Sequence, residues 1–153
     1  MRRRYVIASI GLAVVLFVVI SGLLARAIGV GDAQNAAITE LVRAEVRGDA
    51  HGVISLISGC KQSAACRARA AQLAAALRRP GSLSILQVQP STNVAVTGSV
   101  GTARVAWLAG SSLPRVQCVR VRNAGNVLAG FTIEILQVSP KLAVSGASCP
   151  SRF

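Results

Sequence analysis

The chain has 153 residues, 52% of them hydrophobic, a formal net charge of +12 at pH 7 and four cysteines. Beyond an N-terminal apolar segment it is long enough for one domain with a real core, and its richness in Ala, Val, Leu and Ile excludes a disordered chain. Aromatic residues that could stack bases are few and Trp107 is the only tryptophan, so the positive charge is not read as nucleic-acid binding.

Residues 1–4 form a basic tip, Met1-Arg2-Arg3-Arg4, and residues 5–25 contain no charged side chain. About 20 apolar residues at 1.5 Å per residue cross the hydrocarbon core of a bilayer as a helix. The arginines favour the cytoplasmic side, so the rest of the chain is expected outside the cytoplasm. The segment 5–27 also has features of a secretory signal, because Ala25-Arg26-Ala27 is a small-x-small site. Its apolar part exceeds the usual 7–15 residues of a signal, which favours a retained single-pass anchor over a cleaved leader. Cleavage would make the protein secreted, and both readings export residues 28–153.

Gly29-Val30-Gly31 reads as a flexible exit from the membrane, with Asp32 as a cap for the next helix. Over residues 33–47, Ile38, Leu41, Val42 and Val46 make one apolar helix face, with Glu40, Arg43 and Arg47 elsewhere. Gly48-Asp49 breaks that helix. Asp49 is a natural N-cap for a short helix over 50–57, buried through Val53, Leu56 and Ile57. Ser58-Gly59-Cys60 is a loop. A third helix is expected over about 62–79, with Cys66, Ala70, Leu73 and Leu77 as its stripe and Arg78 and Arg79 in its last turn. Pro80-Gly81 ends it.

The pattern then changes. Residues 83–89, 93–97, 102–109, 115–122 and 127–138 read as strands, separated by Gly98, Gly101, Gly110-Ser111-Ser112 and a hairpin turn at 123–126. Gln117, Val119 and Val121 face opposite to Cys118, Arg120 and Arg122. Phe131, Ile133 and Ile135 face opposite to Thr132 and Glu134. The tail over 140–153 has no clear periodicity. Helices followed by antiparallel strands mean an α+β domain, here an N-terminal membrane helix and two or three helices packed on a curved antiparallel sheet.

An even number of cysteines in an exported chain suggests disulfides. Three pairings are open for Cys60, Cys66, Cys118 and Cys149, and Cys60–Cys66 with Cys118–Cys149 is favoured. No CxxC is present and His51 is the only histidine, which argues against zinc. No metal or cofactor is implied.

The element order, with Val42-Arg43-Ala44-Glu45-Val46-Arg47-Gly48-Asp49 leading into a short helix, and with Thr102–Trp107, Cys118–Arg122 and Gly130–Val138 as strands of long hairpins, resembles the nuclear transport factor 2-like (cystatin-like) superfamily. The resemblance spans roughly residues 32–138 and implies helices packed into a curved sheet as a cone. The usual aromatic lining of that cone is thin here. Superfamily enzymes use Asp and His inside the cone, which makes Asp49, His51 and Glu134 the candidates for acid–base chemistry. Each has a simpler role: Asp49 as a helix cap, His51 as an exposed first-turn residue, Glu134 as a solvated partner of Arg120 or Arg122. Trp107 and Phe131 are candidates for lining a ligand pocket. Arg47-Gly48-Asp49 spells an adhesion tripeptide but reads as a helix end meeting the next cap, and Gly98-Ser99-Val100-Gly101 reads as a strand turn rather than a phosphate loop.

No acid–base pair emerges. The sequence therefore favours a non-catalytic, membrane-anchored envelope protein that binds or assembles, as a homodimer or within an envelope complex. Anionic lipid or an anionic wall polymer would suit the basic exterior, which is equally explained as ordinary solvated surface. The alternative is an isomerase- or dehydratase-like enzyme, or a small-molecule carrier, using the cone.

Overall fold

A computed structural model describes residues 2–90, 98–126, 130–142, 148–150 and 153. The fold is α+β, and its sheet is open rather than closed into a barrel. Helix α1 spans Arg2–Arg47, α2 Ala50–Leu56 and α3 Ala64–Leu77, with a 3-10 turn at Cys60–Gln62 before α3. Four strands follow: β1 Leu83–Gln89, β2 Ser99–Ala109, β3 Arg115–Asn126 and β4 Gly130–Val138. They form an antiparallel meander in the order β1-β2-β3-β4.

The expected flexible exit at Gly29-Val30-Gly31 is instead helical, and Asp32 lies inside α1 rather than capping a new helix. A second helix would need fresh nucleation, whereas extending an existing one adds a hydrogen bond per residue fixed. Two glycines cost about 1 kcal/mol each in a helix interior. Tertiary docking offsets that cost, because Val30 is buried and Gln34 is buried and hydrogen-bonded to the sheet. One helix thus carries two surfaces. Its large apolar side chains between residues 10 and 24, Leu23 excepted, are 52–72% exposed, on a segment long and apolar enough to cross a membrane. Further along, Gln34, Ile38, Leu41 and Glu45 form a fully buried strip.

Asp49 caps α2 as expected, its Oδ1 accepting from the Gly52 N–H at 2.8 Å. Ser63 caps α3 by accepting from the Cys66 N–H. That helix ends at Leu77, so Arg78 is its C-cap and Arg79 lies beyond it, not in its last turn. The stripe of Ala70, Leu73 and Leu77 is buried as the periodicity requires.

The hairpin turn does not fall at residues 123–126. These four belong to β3 and pair with Ile133, Thr132, Phe131 and Gly130. Asn123 stays in the ladder because its buried side chain accepts from Gln34 Nε2 at 2.8 Å and donates to Ser99 Oγ at 3.1 Å. Gly125 has φ +106°, and a Cβ there would run into the Gly130 carbonyl oxygen. Ser99, Val100 and Gly101 likewise belong to β2 and not to a turn, with Gly101 opposite Val121. The expected strand at 93–97 and the start of the one at 127–138 lie outside the described residues.

The core lies between the helices and one sheet face, and α1 packs against α2, α3, β1, β3 and β4. The free edge of β4 is met by the chain after α2: Ile57 bridges Ile135 in parallel, and the Ser58 N–H donates to the Ile135 carbonyl at 2.7 Å. After β4 the chain continues beside β3, where the Cys118 N–H donates to Ser139 Oγ and the Leu142 N–H to the Val116 carbonyl. Both favoured disulfides are present, Cys60–Cys66 and Cys118–Cys149.

The two bridges close loops of very different length, with sequence separations of 6 and 31. Chain-entropy arguments give about 2 kcal/mol for the short loop and about 4 kcal/mol for the long one. The paired variant Cys118→Ala/Cys149→Ala should therefore lower the denaturant midpoint of the domain more than Cys60→Ala/Cys66→Ala. Equal losses in chemical unfolding would show that loop entropy does not govern what each bridge contributes.

Candidate functional site

The most unusual chemistry in the molecule is a carboxyl group inside the core. Glu45 sits on α1 in register with Gln34, Ile38 and Leu41, spacings of four, three and four that define one helix face. That face lies on the sheet, so Glu45 is 0% exposed. Gln117, on the inward face of β3 with Val119 and Val121, is buried opposite it. Trp107 on β2 completes the row.

The hydrogen bonds run in one direction. Trp107 Nε1, which can only donate, gives its proton to Gln117 Oε1 at 2.6 Å. The Gln117 amide therefore presents Nε2 on its other side, donating to Glu45 Oε2 at 3.2 Å and to the Ser139 carbonyl at 3.4 Å. Glu45 Oε1 finds no partner among the described residues. Burial raises the Glu45 pKa from its ordinary 4.5 to about 7, and the Gln117 hydrogen bond opposes that shift. Taking up and releasing one proton near neutrality is the chemistry this arrangement supports.

A surface hollow of about 330 Å³ lies between α3 and the edge of β4. Ile57, Leu73, Leu136 and the Cys60–Cys66 bridge give it apolar walls, with Arg69 at its margin. Its size is at the lower end for small-ligand pockets.

The residues singled out from the sequence are dispersed. Asp49 is committed to the start of α2, and His51 is exposed in the first turn of that helix. Glu134 pairs with Arg122 at 3.4 Å on the solvent face of the sheet. Trp107 is buried in the core, and Phe131 is half-buried at the start of β4. The four cysteines are all in disulfides.

Sequence reasoning missed Glu45 and Gln117 as a pair. The signal was present, because Glu45 follows Leu41 by four and Ile38 by seven and so falls on the apolar face. A residue that breaks an otherwise apolar stripe is the pattern to look for.

No family profile, curated protein or solved structure matches this chain.

The raised Glu45 pKa makes stability pH-dependent with a definite sign. The folded state holds this proton more tightly than the unfolded chain does. The contribution is full below about pH 4.5, falls as pH rises towards about 7 and levels off above it, a loss of roughly 3 kcal/mol. Urea midpoints measured from pH 4.5 to 8 should fall across this window in the native protein, and Glu45→Gln should flatten the fall and raise the midpoint at pH 8. Identical pH profiles for the two proteins would remove Glu45 as the cause.

Proposed function

We propose that this chain is a single-pass, membrane-anchored envelope protein, N-terminus in the cytoplasm, whose extracytoplasmic α+β domain is a non-catalytic binding or assembly module. The observation that carries the reading is the continuity of α1. The same helix has an exposed apolar stretch of membrane-spanning length and a strip buried in the domain core. A domain joined to its anchor through its own core helix is held at a fixed height and orientation, which suits a part that presents surfaces to partners.

Two further observations support it. The disulfides are chemistry of oxidising compartments and suit an exported domain. The charged side chains considered for catalysis serve as a cap or a surface ion pair. The element order, with helices preceding an antiparallel meander of long hairpins, supports the likeness to the nuclear transport factor 2-like superfamily as a proposal. In that reading the envelope complex or a second copy of the chain is the partner.

Topology and partnership are separable by experiment. Ser111→Cys, an exposed turn position between β2 and β3, should react with a membrane-impermeant maleimide in intact cells. Protection until the cells are lysed would place the domain in the cytoplasm and overturn the reading. Crosslinking in vivo, followed by solubilisation and mass spectrometry, should recover one defined set of envelope proteins or a crosslinked dimer. Recovery of the uncrosslinked chain alone would overturn the assembly role.

A further inference from the structure

The C-terminal ends of α1 and α3 meet at the same corner of the domain. The Arg79 N–H donates to the Val46 carbonyl at 3.0 Å. Gly48, at φ +73°, lets the stem of Arg78 lie across it, since a Cβ there would stand 2.9 Å from Arg78 Cδ. Arg47, Arg78 and Arg79 line a groove of about 600 Å³ with Val46, Ala75 and Pro80. A second groove of about 300 Å³ shares Val46 and Arg47 and continues past Arg43 to Leu83 and Ile85.

The positive charge exceeds what the fold uses. Two helix C-termini amount to about half a negative charge each, against three arginines at this corner. Glu40 is committed to Arg43 at 2.6 Å and reaches Arg47 only at 3.9 Å. The Asp49 carboxylate is turned to the start of α2, and that of Glu45 is sealed in the core. Arg79 Nη1 donates to the Arg78 carbonyl at 2.6 Å, and after the long Glu40 contact to Arg47 the corner keeps a net positive charge that a bound anion would balance.

We propose that the corner formed by Arg47, Arg78 and Arg79 binds a phosphate-bearing anionic polymer of the cell envelope. Guanidinium forks pair with phosphate oxygens two at a time. The grooves join through shared residues, so the site is elongated and fits a chain rather than a single ion. Its height selects the source of the phosphate. Arg47 lies about 33 Å along α1 from Ala25 at 1.5 Å per residue. The headgroup layer takes up about 6 Å of that, and the field of anionic lipid decays within a Debye length of about 8 Å. The protein's own bilayer is therefore out of reach, and a polymer above it is not. This argument from height rests on the topology proposed above.

The test uses the full chain in nanodiscs of zwitterionic lipid, with inorganic polyphosphate as the probe and titrations at several salt concentrations. Arg47→Gln/Arg78→Gln removes two charges but keeps the Cβ, Cγ and Cδ atoms that pack over Gly48. It should weaken binding at least about tenfold at low salt and make the salt dependence less steep by about two released counterions. Lys61→Gln/Arg69→Gln, which removes two exposed charges elsewhere, should change affinity less than about threefold. Equal losses in both variants, or none in the first, would overturn the site. Tighter binding of poly-L-glutamate than of polyphosphate would overturn it in favour of an acidic protein. Replacing the zwitterionic lipid with an anionic one should leave polyphosphate affinity within about twofold, and a larger loss would show that the corner engages its own membrane. Maleimide labelling from the cytoplasmic side would defeat the topology while leaving the polyphosphate result standing, so the two failures are distinguishable.

Discussion

The strip Gln34, Ile38, Leu41 and Glu45 sets the relation between α1 and the sheet, and the rest of the molecule is arranged around it. Its middle is apolar, and burying Ile38 and Leu41 contributes about 1.5–3 kcal/mol each. Its ends are polar and meet β3 at two points, Gln34 at Asn123 and Glu45 at Gln117. Net gains from such hydrogen bonds are only about 1 kcal/mol, but each end leaves a buried polar group unpaired if the helix slides by a turn. The two contacts therefore fix register more than they add stability. Glu45 is the costly member, because Gln117 supplies a single hydrogen bond to a carboxyl removed from water.

That register determines the placement of the other features. Gln117 faces the helix, so its neighbour Cys118 faces the opposite side of the sheet, where it is tied to Cys149. Ser139 joins the two faces, since its carbonyl accepts from Gln117 and its hydroxyl from the Cys118 N–H. At one end of the strip lie the paired ends of β3 and β4 and the helix leading to the apolar segment. At the other end α1 terminates beside α3, and Pro80-Gly81 packs on the β2–β3 turn through the close approach of Gly81 to Gly110. The basic corner is thus at the far end of the same helix that begins in the apolar segment, a consequence of α1 being unbroken.

Much of this was readable in the residues. The α+β order, the apolar N-terminal helix, the Asp49 cap, the buried stripe of α3 and the disulfide pairing all come from local patterns with one main physical cause. The misreadings share a different character. Gly29, Gly31 and Asp32 look like a helix boundary by propensity, and only the docking of Val30 and Gln34 overrides it. Asn123–Asn126 looks like a hairpin turn by composition, and bonds to Gln34 and Ser99, 89 and 24 residues away in sequence, hold Asn123 in the strand. Glu45 and Gln117, 72 residues apart, become a pair only when α1 lies on β3. The arginine corner likewise draws on the ends of two helices, α1 and α3. Long-range packing decided what local sequence could not.

The continuity of α1 from the apolar segment into the core is the claim on which the fixed height and the presentation of the domain depend. Hydrogen exchange of the full chain in nanodiscs, read along residues 29–46, tests it directly. An unbroken helix docked through Val30 and Gln34 should protect the amides of residues 29–34 to within about tenfold of those of residues 38–46, since both belong to one packed element. Exchange of residues 29–34 at the rate of an unstructured chain, beside a protected 38–46, would show two helices joined by a linker and contradict the account.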